Sequence, residues 1–149
     1  GGQTCGPTPC GTVFKLAPPC AGQPQWTETV LHSFQGSPSD GVYPLAGLNF
    51  DSSGALYGTT FYGGSAGAGT VFKLMPPAPT VVGRQQWTET VLYSFKGGSD
   101  GADPWAGVIF DTHGALYGTT WGIGTVFKLQ CNGVREIFGG TVHQFCPGG

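Results

Sequence analysis

The chain has 149 residues, enough to bury one domain's core, and its 39% hydrophobic and 13% aromatic content with only 9% charged residues excludes disorder. A formal charge of −2 with six Lys and Arg cannot supply the row of phosphate contacts behind nucleic-acid affinity. No apolar run approaches the roughly 20 residues of a membrane helix, and no basic-then-apolar signal segment opens the sequence, so an exported form would already have lost its signal.

The first segment, residues 1–10, is rich in Cys and Gly and carries Cys5 and Cys10. Gly11 to Leu16 (Gly-Thr-Val-Phe-Lys-Leu) and Trp26 to Phe34 (Trp-Thr-Glu-Thr-Val-Leu-His-Ser-Phe) then read as two strands of a hairpin over 11–34, with Cys20 between them. An Asp40-Gly41 turn and Pro44 lead into Ala46 to Asp51. Asp51-Ser52-Ser53-Gly54 makes a tight turn, and Ala55 to Thr60 follows as the next strand. After the loop Gly63 to Gly69 the hexapeptide returns at Gly69 to Leu74. A Pro-rich stretch separates it from Trp87 to Phe95, where the nonapeptide recurs with Tyr93 in place of His32. The order is then repeated by Asp100-Gly101, Pro104, Ala106 to Asp111, Gly114 to Thr120, Gly124 to Leu129 and a shortened last strand, Val134 to Phe138. The tail, residues 139–149, is again Cys/Gly-rich; Cys131 and Cys146 bracket the last stretch.

Each block is short, rich in Val, Phe, Tyr, Trp and Thr, and alternates with period two, so the chain is expected to be all-β. The unit of about sixty residues has four strands in the order A (Ala-Gly-Leu-x-Phe-Asp), B (Ala-Leu-Tyr-Gly-Thr-Thr), C (the hexapeptide) and D (the nonapeptide). Consecutive antiparallel strands at a fixed period predict β-propeller blades, about two and a half per chain, within one repeat domain over 1–149. The orphan C-D hairpin covers 11–34, the first full blade 44–95 and the second 104–138. A β-trefoil is the alternative fold.

These blocks resemble the GloVer-type tandem repeat of exported and surface-anchored bacterial proteins, a family whose repeats are expected to form propellers. The resemblance runs from Gly11 to Leu129 and rests on Asp-Gly, Pro, Ala-Gly-(Leu/Val), Phe-Asp, Gly-x-Leu-Tyr-Gly-Thr-Thr and Gly-Thr-Val-Phe-Lys-Leu. It implies export and a propeller, and it names no ligand or activity.

The residues bearing chemistry mostly read as structural. Lys15, Lys73 and Lys128 in strand C accompany Glu28, Glu89 and Glu136 in strand D, and are expected to form cross-strand ion pairs. Asp40, Asp51, Asp100, Asp103 and Asp111 sit at turns without calcium-loop spacing, so no metal site is assigned. No Gly-x-Ser-x-Gly elbow exists, His32, His113 and His143 occupy unrelated places, and the Gly63 to Gly69 loop lacks the Lys and helix of a phosphate cradle. No catalytic residue and no cofactor are expected.

Cys5, Cys10, Cys20, Cys131 and Cys146 lie outside the core repeat without zinc spacing and are disulfide candidates, which implies an oxidising, extracellular location. Cys5 can pair with Cys10 or Cys20, and Cys131 with Cys146. An odd count leaves one free thiol or a link to another chain. The non-repeated aromatic residues Tyr43, Phe61, Tyr62, Trp105 and Trp121 lie beside turns. These rings are expected to fill gaps between blades, with Tyr43, Tyr62, Trp105 and Trp121 as candidate ligand-binding residues for glycans in the alternative.

Two and a half blades fall short of the four to eight that close a propeller, which leaves three outcomes: copies associate, the chain is part of a longer one, or the fold is different; of these, head-to-tail association of the unpaired edges into a ring or filament is expected. The expected partner is therefore the protein itself, as homo-oligomer or filament. The expected role is structural or adhesive, with carbohydrate binding as the alternative.

Overall fold

The computed structural model describes residue 5, residues 10–36, 38–78 and 86–130, and the backbone of residues 141–144. Among the described residues the chain is all-β, with one 3-10 turn at Gly98–Asp100, and no helix there is long and apolar enough to cross a membrane. β1 (Thr12–Ala17) and β2 (Thr27–Ser33) form an antiparallel hairpin. A short pair, β3 (Gly41–Val42) and β6 (Tyr62–Gly63), flanks a four-stranded antiparallel sheet of β4 (Asn49–Phe50), β5 (Leu56–Thr60), β7 (Thr70–Met75) and β8 (Thr88–Ser94). A second four-stranded sheet contains β9 (Ile109–Phe110), β10 (Leu116–Thr119), β11 (Val126–Gln130) and β12 (Thr141–Gln144).

Apart from the β3–β6 pair, which forms where a turn and a loop were expected, the strands fall at positions A to D in the order the repeat predicts, with two further differences. Position A is shorter than Ala46 to Asp51, because only Asn49 and Phe50 reach the ladder, opposite Tyr57 and Leu56. In the second sheet the strand beside β11 is Thr141–Gln144, and it runs parallel, where a shortened antiparallel strand at 134–138 was expected. Val134 to Phe138 lies outside the described residues. The described strands close neither a barrel, as the trefoil alternative requires, nor a propeller ring.

The turns follow from the aspartates. Asp51 Oδ1 accepts from the backbone N–H of Ser53 and Ala55 while Oδ2 accepts from Tyr57 Oη; Asp111 repeats this with His113, Ala115 and Tyr117. The carboxylate thus fixes both the turn and the ring of the following strand. In the same sheet Gly58 lies under the Phe72 ring, and a Cβ there would come within 2.7 Å of Cζ, which accounts for Tyr-Gly-Thr in strand B.

Two cores alternate with the sheets. The first joins Val13 and Phe34 of the hairpin to Leu56, Phe72 and Leu74; the second joins Val71, Leu92 and Phe95 to Val108, Leu116, Phe127 and Leu129. Each is bridged by an edge-to-face phenylalanine pair with ring centroids 5.1 Å apart, Phe34 with Phe72 and Phe95 with Phe127. Consecutive units also meet through their A positions. Asn49 Nδ2 donates to the Val108 carbonyl, and Thr59 Oγ1 to the Ala106 carbonyl. A Cβ on Gly107 would lie 2.7 Å from the Gly47 carbonyl oxygen, so the Ala-Gly pair of strand A sits at a crowded contact between units.

The hexapeptide therefore has two faces. Phe and Leu point toward the preceding unit, and Val points toward the following one. In the middle copy Val71, Phe72 and Leu74 are all 0% exposed. In the first copy Val13 is buried while Phe14 and Leu16 are 52% and 50% exposed; in the third Phe127 and Leu129 are buried while Val126 is 59% exposed. The same residues are thus covered or bare according to whether a neighbouring unit lies against them.

Candidate functional site

The aromatic residues singled out in the sequence come together. Tyr43 lies 6.1 Å from Tyr62, Tyr62 4.5 Å from Phe61, Phe61 5.3 Å from Trp105 and Trp105 6.0 Å from Trp121, centroid to centroid. Five rings make one continuous row along the end of the sheets where B strands finish and A strands begin. Tyr43, Trp105 and Trp121 are exposed, and Phe61 and Tyr62 half-buried, so the row faces solvent more than it fills a gap between units.

Its backbone support is repeated and strained. Tyr43 and Asp103, each preceding a proline, have φ of 59° and 55°, a left-handed conformation uncommon for residues other than glycine. Tyr43 N–H donates to the Cys10 carbonyl and its own carbonyl accepts from Phe61 N–H. Asp103 does the same with Ala68 and Trp121. Each strained residue thereby ties the start of one unit's C strand to the end of the next unit's B strand, and it sets the neighbouring aromatic residues in place.

A second constellation lies between the hairpin and the first four-stranded sheet. His32, Asp40 and Glu89 bring one ligand atom each to within 4.8 Å of one another. Asp40 is held by Gln35 N–H on Oδ2 and Gly41 N–H on Oδ1, both at 2.6 Å, and His32 Nε2 lies 3.8 Å from Oδ2. His32 Nε2 and Glu89 Oε1 are buried without a hydrogen-bond partner among the described residues. Burial pushes the Asp40 carboxyl up, but His32 and the two N–H donors together outweigh it and hold it below its usual range. Burial, and then the Asp40 charge, push Glu89 up to about 7, with His32 acting in the opposite sense.

The register explains why Glu89 is here. The expected Lys73–Glu89 ion pair is not formed: a bulge at Leu92 shifts the pairing so that Phe72 lies opposite Val91 and Leu74 opposite Glu89. One extra residue reverses which face the rest of the strand presents, so Glu89 joins the Phe72 and Leu74 face. Lys73 instead approaches Asp51 at 3.9 Å and stacks over Tyr57. The hairpin has the same bulge, which sets Leu16 opposite Glu28 and separates Lys15 from Glu28 by a face. Lys128 stacks over Tyr117, and Glu136 lies outside the described residues.

Glu89 gives a pH-dependent result. With its folded pKa above the ordinary 4.5, the unfolded chain releases a proton between about pH 4.5 and 7 that the folded chain keeps, so stability falls as pH rises through this window. Asp40, depressed, acts oppositely and only at more acid pH. Glu89→Gln is expected to stabilise the chelator-treated protein by about 1–2 kcal/mol at pH 8, after allowance for solvent screening, and by nothing at pH 4. Urea unfolding of both proteins at the two pH values checks this.

Cys5 and Cys10 form a disulfide with Cα atoms 5.3 Å apart, and Cys10 packs into the first core. Cys20 is an exposed free thiol, while Cys131 and Cys146 lie outside the described residues. A family described as the Gloeobacter/Verrucomicrobia repeat matches residues 2–146 of the chain. No curated protein and no solved structure matches it.

Proposed function

Because the chain belongs to the Gloeobacter/Verrucomicrobia repeat family, we propose that it is a non-enzymatic exported scaffold whose four-stranded units act as propeller blades and assemble head to tail into a ring or filament. The observation that carries this reading is the pair of bare end faces. Phe14 and Leu16, with Trp26 and Val30 beside them, are exposed on the hairpin, although Phe72, Leu74, Phe127 and Leu129 at matching places are buried against a preceding unit. Val126 is bare on the opposite face, where Val13 and Val71 are covered. One end of a copy therefore offers the surface that the other end is built to cover, which is a heterologous contact. The close approach of consecutive A positions supports blades converging on that strand. Sedimentation velocity over a concentration series tests the assembly.

The aromatic row supports a second role, carbohydrate binding. Exposed rings beside polar turns offer apolar faces to sugar C–H groups, and the strained backbone braces them. Wild-type protein is expected to bind members of a glycan array and Trp121→Ala to lose at least tenfold in affinity for them; a blank array with the wild type contradicts this role.

A further inference from the structure

We propose that His32, Asp40 and Glu89 bind a divalent transition-metal ion of the zinc class, which clamps the hairpin to the first four-stranded sheet. The three side chains come from three separate elements. His32 lies on β2, Asp40 in the turn before β3 and Glu89 on β8, and the fold brings their donor atoms within 4.8 Å of one another. Around a tetrahedral ion with bonds of about 2.0–2.2 Å, donor atoms sit about 3.3 Å apart, so side-chain rotations on the order of 1 Å complete the site.

Two donors are already in the state a ligand would relieve. His32 Nε2 and Glu89 Oε1 are buried with no hydrogen-bond partner among the described residues, a costly condition for polar atoms. The third donor is held in position: both Asp40 oxygens accept backbone N–H bonds, the kind of outer support that orients metal-ligating carboxylates, and each oxygen keeps a free lone pair. One imidazole and two carboxylates suit zinc, cobalt(II) or nickel(II) better than calcium or magnesium, which favour all-oxygen shells. A fourth position is left for water.

The second copy of the repeat shows what the site replaces. There the nonapeptide carries Tyr93 at the place of His32, and Tyr93 Oη donates to Asp100 Oδ1 at 2.7 Å. Lys96 N–H binds the other Asp100 oxygen, as Gln35 N–H binds Asp40. Exchange of this one residue turns a closed tyrosine–aspartate bond into an imidazole–carboxylate pair with open donor atoms.

The repeat thereby supplies a variant expected to fold, His32→Tyr. The test is titration of zinc(II) and cobalt(II) into the full-length, chelator-stripped protein, read by calorimetry, by cobalt d–d absorption and by thermal unfolding. The expected result is one ion per chain, a tetrahedral cobalt spectrum and a rise in Tm of about 5 °C or more at saturation. His32→Tyr and Glu89→Gln should each lower the affinity at least about 100-fold and abolish the Tm shift while remaining folded. Equal affinity and stoichiometry in wild type and His32→Tyr would overturn the proposal, as would no binding at micromolar metal. The latter result would leave the three groups as a metal-free histidine–carboxylate cluster.

Discussion

Phe72→Ala is expected to cost about 3–5 kcal/mol of folding stability, whereas Phe14→Ala, the same residue in the same hexapeptide, should change the stability of the isolated chain by less than about 1 kcal/mol. The local sequence is identical, so intrinsic strand propensity and cross-strand pairing cannot separate the two. Burial does. Phe72 touches the Phe34 ring edge-on, lies across Gly58 and shares a core with Val13, Val42 and Leu74. Its removal leaves a cavity that the rigid glycine backbone beneath it cannot fill. Phe14 has its ring in solvent and no described residue packed on its outer face. Urea denaturation under conditions that keep the protein monomeric measures both; equal losses would mean that the first hairpin is already covered.

The second large effect is on association. Phe14→Asp/Leu16→Asp is expected to abolish assembly while leaving the monomer folded, because two charges would have to be buried without partners at the centre of the contact. The same change at Phe72 and Leu74 would unfold the chain. In the free chain the two carboxylates stand in water beside Glu28, where they cost little. The double variant thus separates a face used between copies from a face used within one, a distinction that single-chain stability data alone would miss.

Much of this organisation was legible in the sequence. Period-two alternation, the Asp-Gly turns and three copies of one hexapeptide locate the strands, since those features depend on local backbone geometry and on which face is apolar. The aromatic residues beside the turns were also legible, although their union into a row comes from the packing of consecutive units. The Lys15–Glu28 and Lys73–Glu89 pairs misled for a definite reason. A single bulge residue, Leu92, is indistinguishable in sequence from its neighbours, yet it carries Glu89 away from Lys73 to the opposite face. The His32, Asp40 and Glu89 cluster was illegible for the same reason, with one signal left unused: the His/Tyr exchange is the sole difference between two otherwise identical nonapeptides. The parallel pairing of β12 had no local cue, because its partner is chosen by the free edge of β11.

The most direct test of the assembly is sedimentation velocity on the full chain and on Phe14→Asp/Leu16→Asp, from low to high micromolar concentration without reductant. The end-face contact requires species larger than the monomer that grow with concentration in the wild type, and a monomer at every concentration in the variant. A wild type that stays monomeric throughout, or oligomers that persist unchanged in the variant, would contradict it.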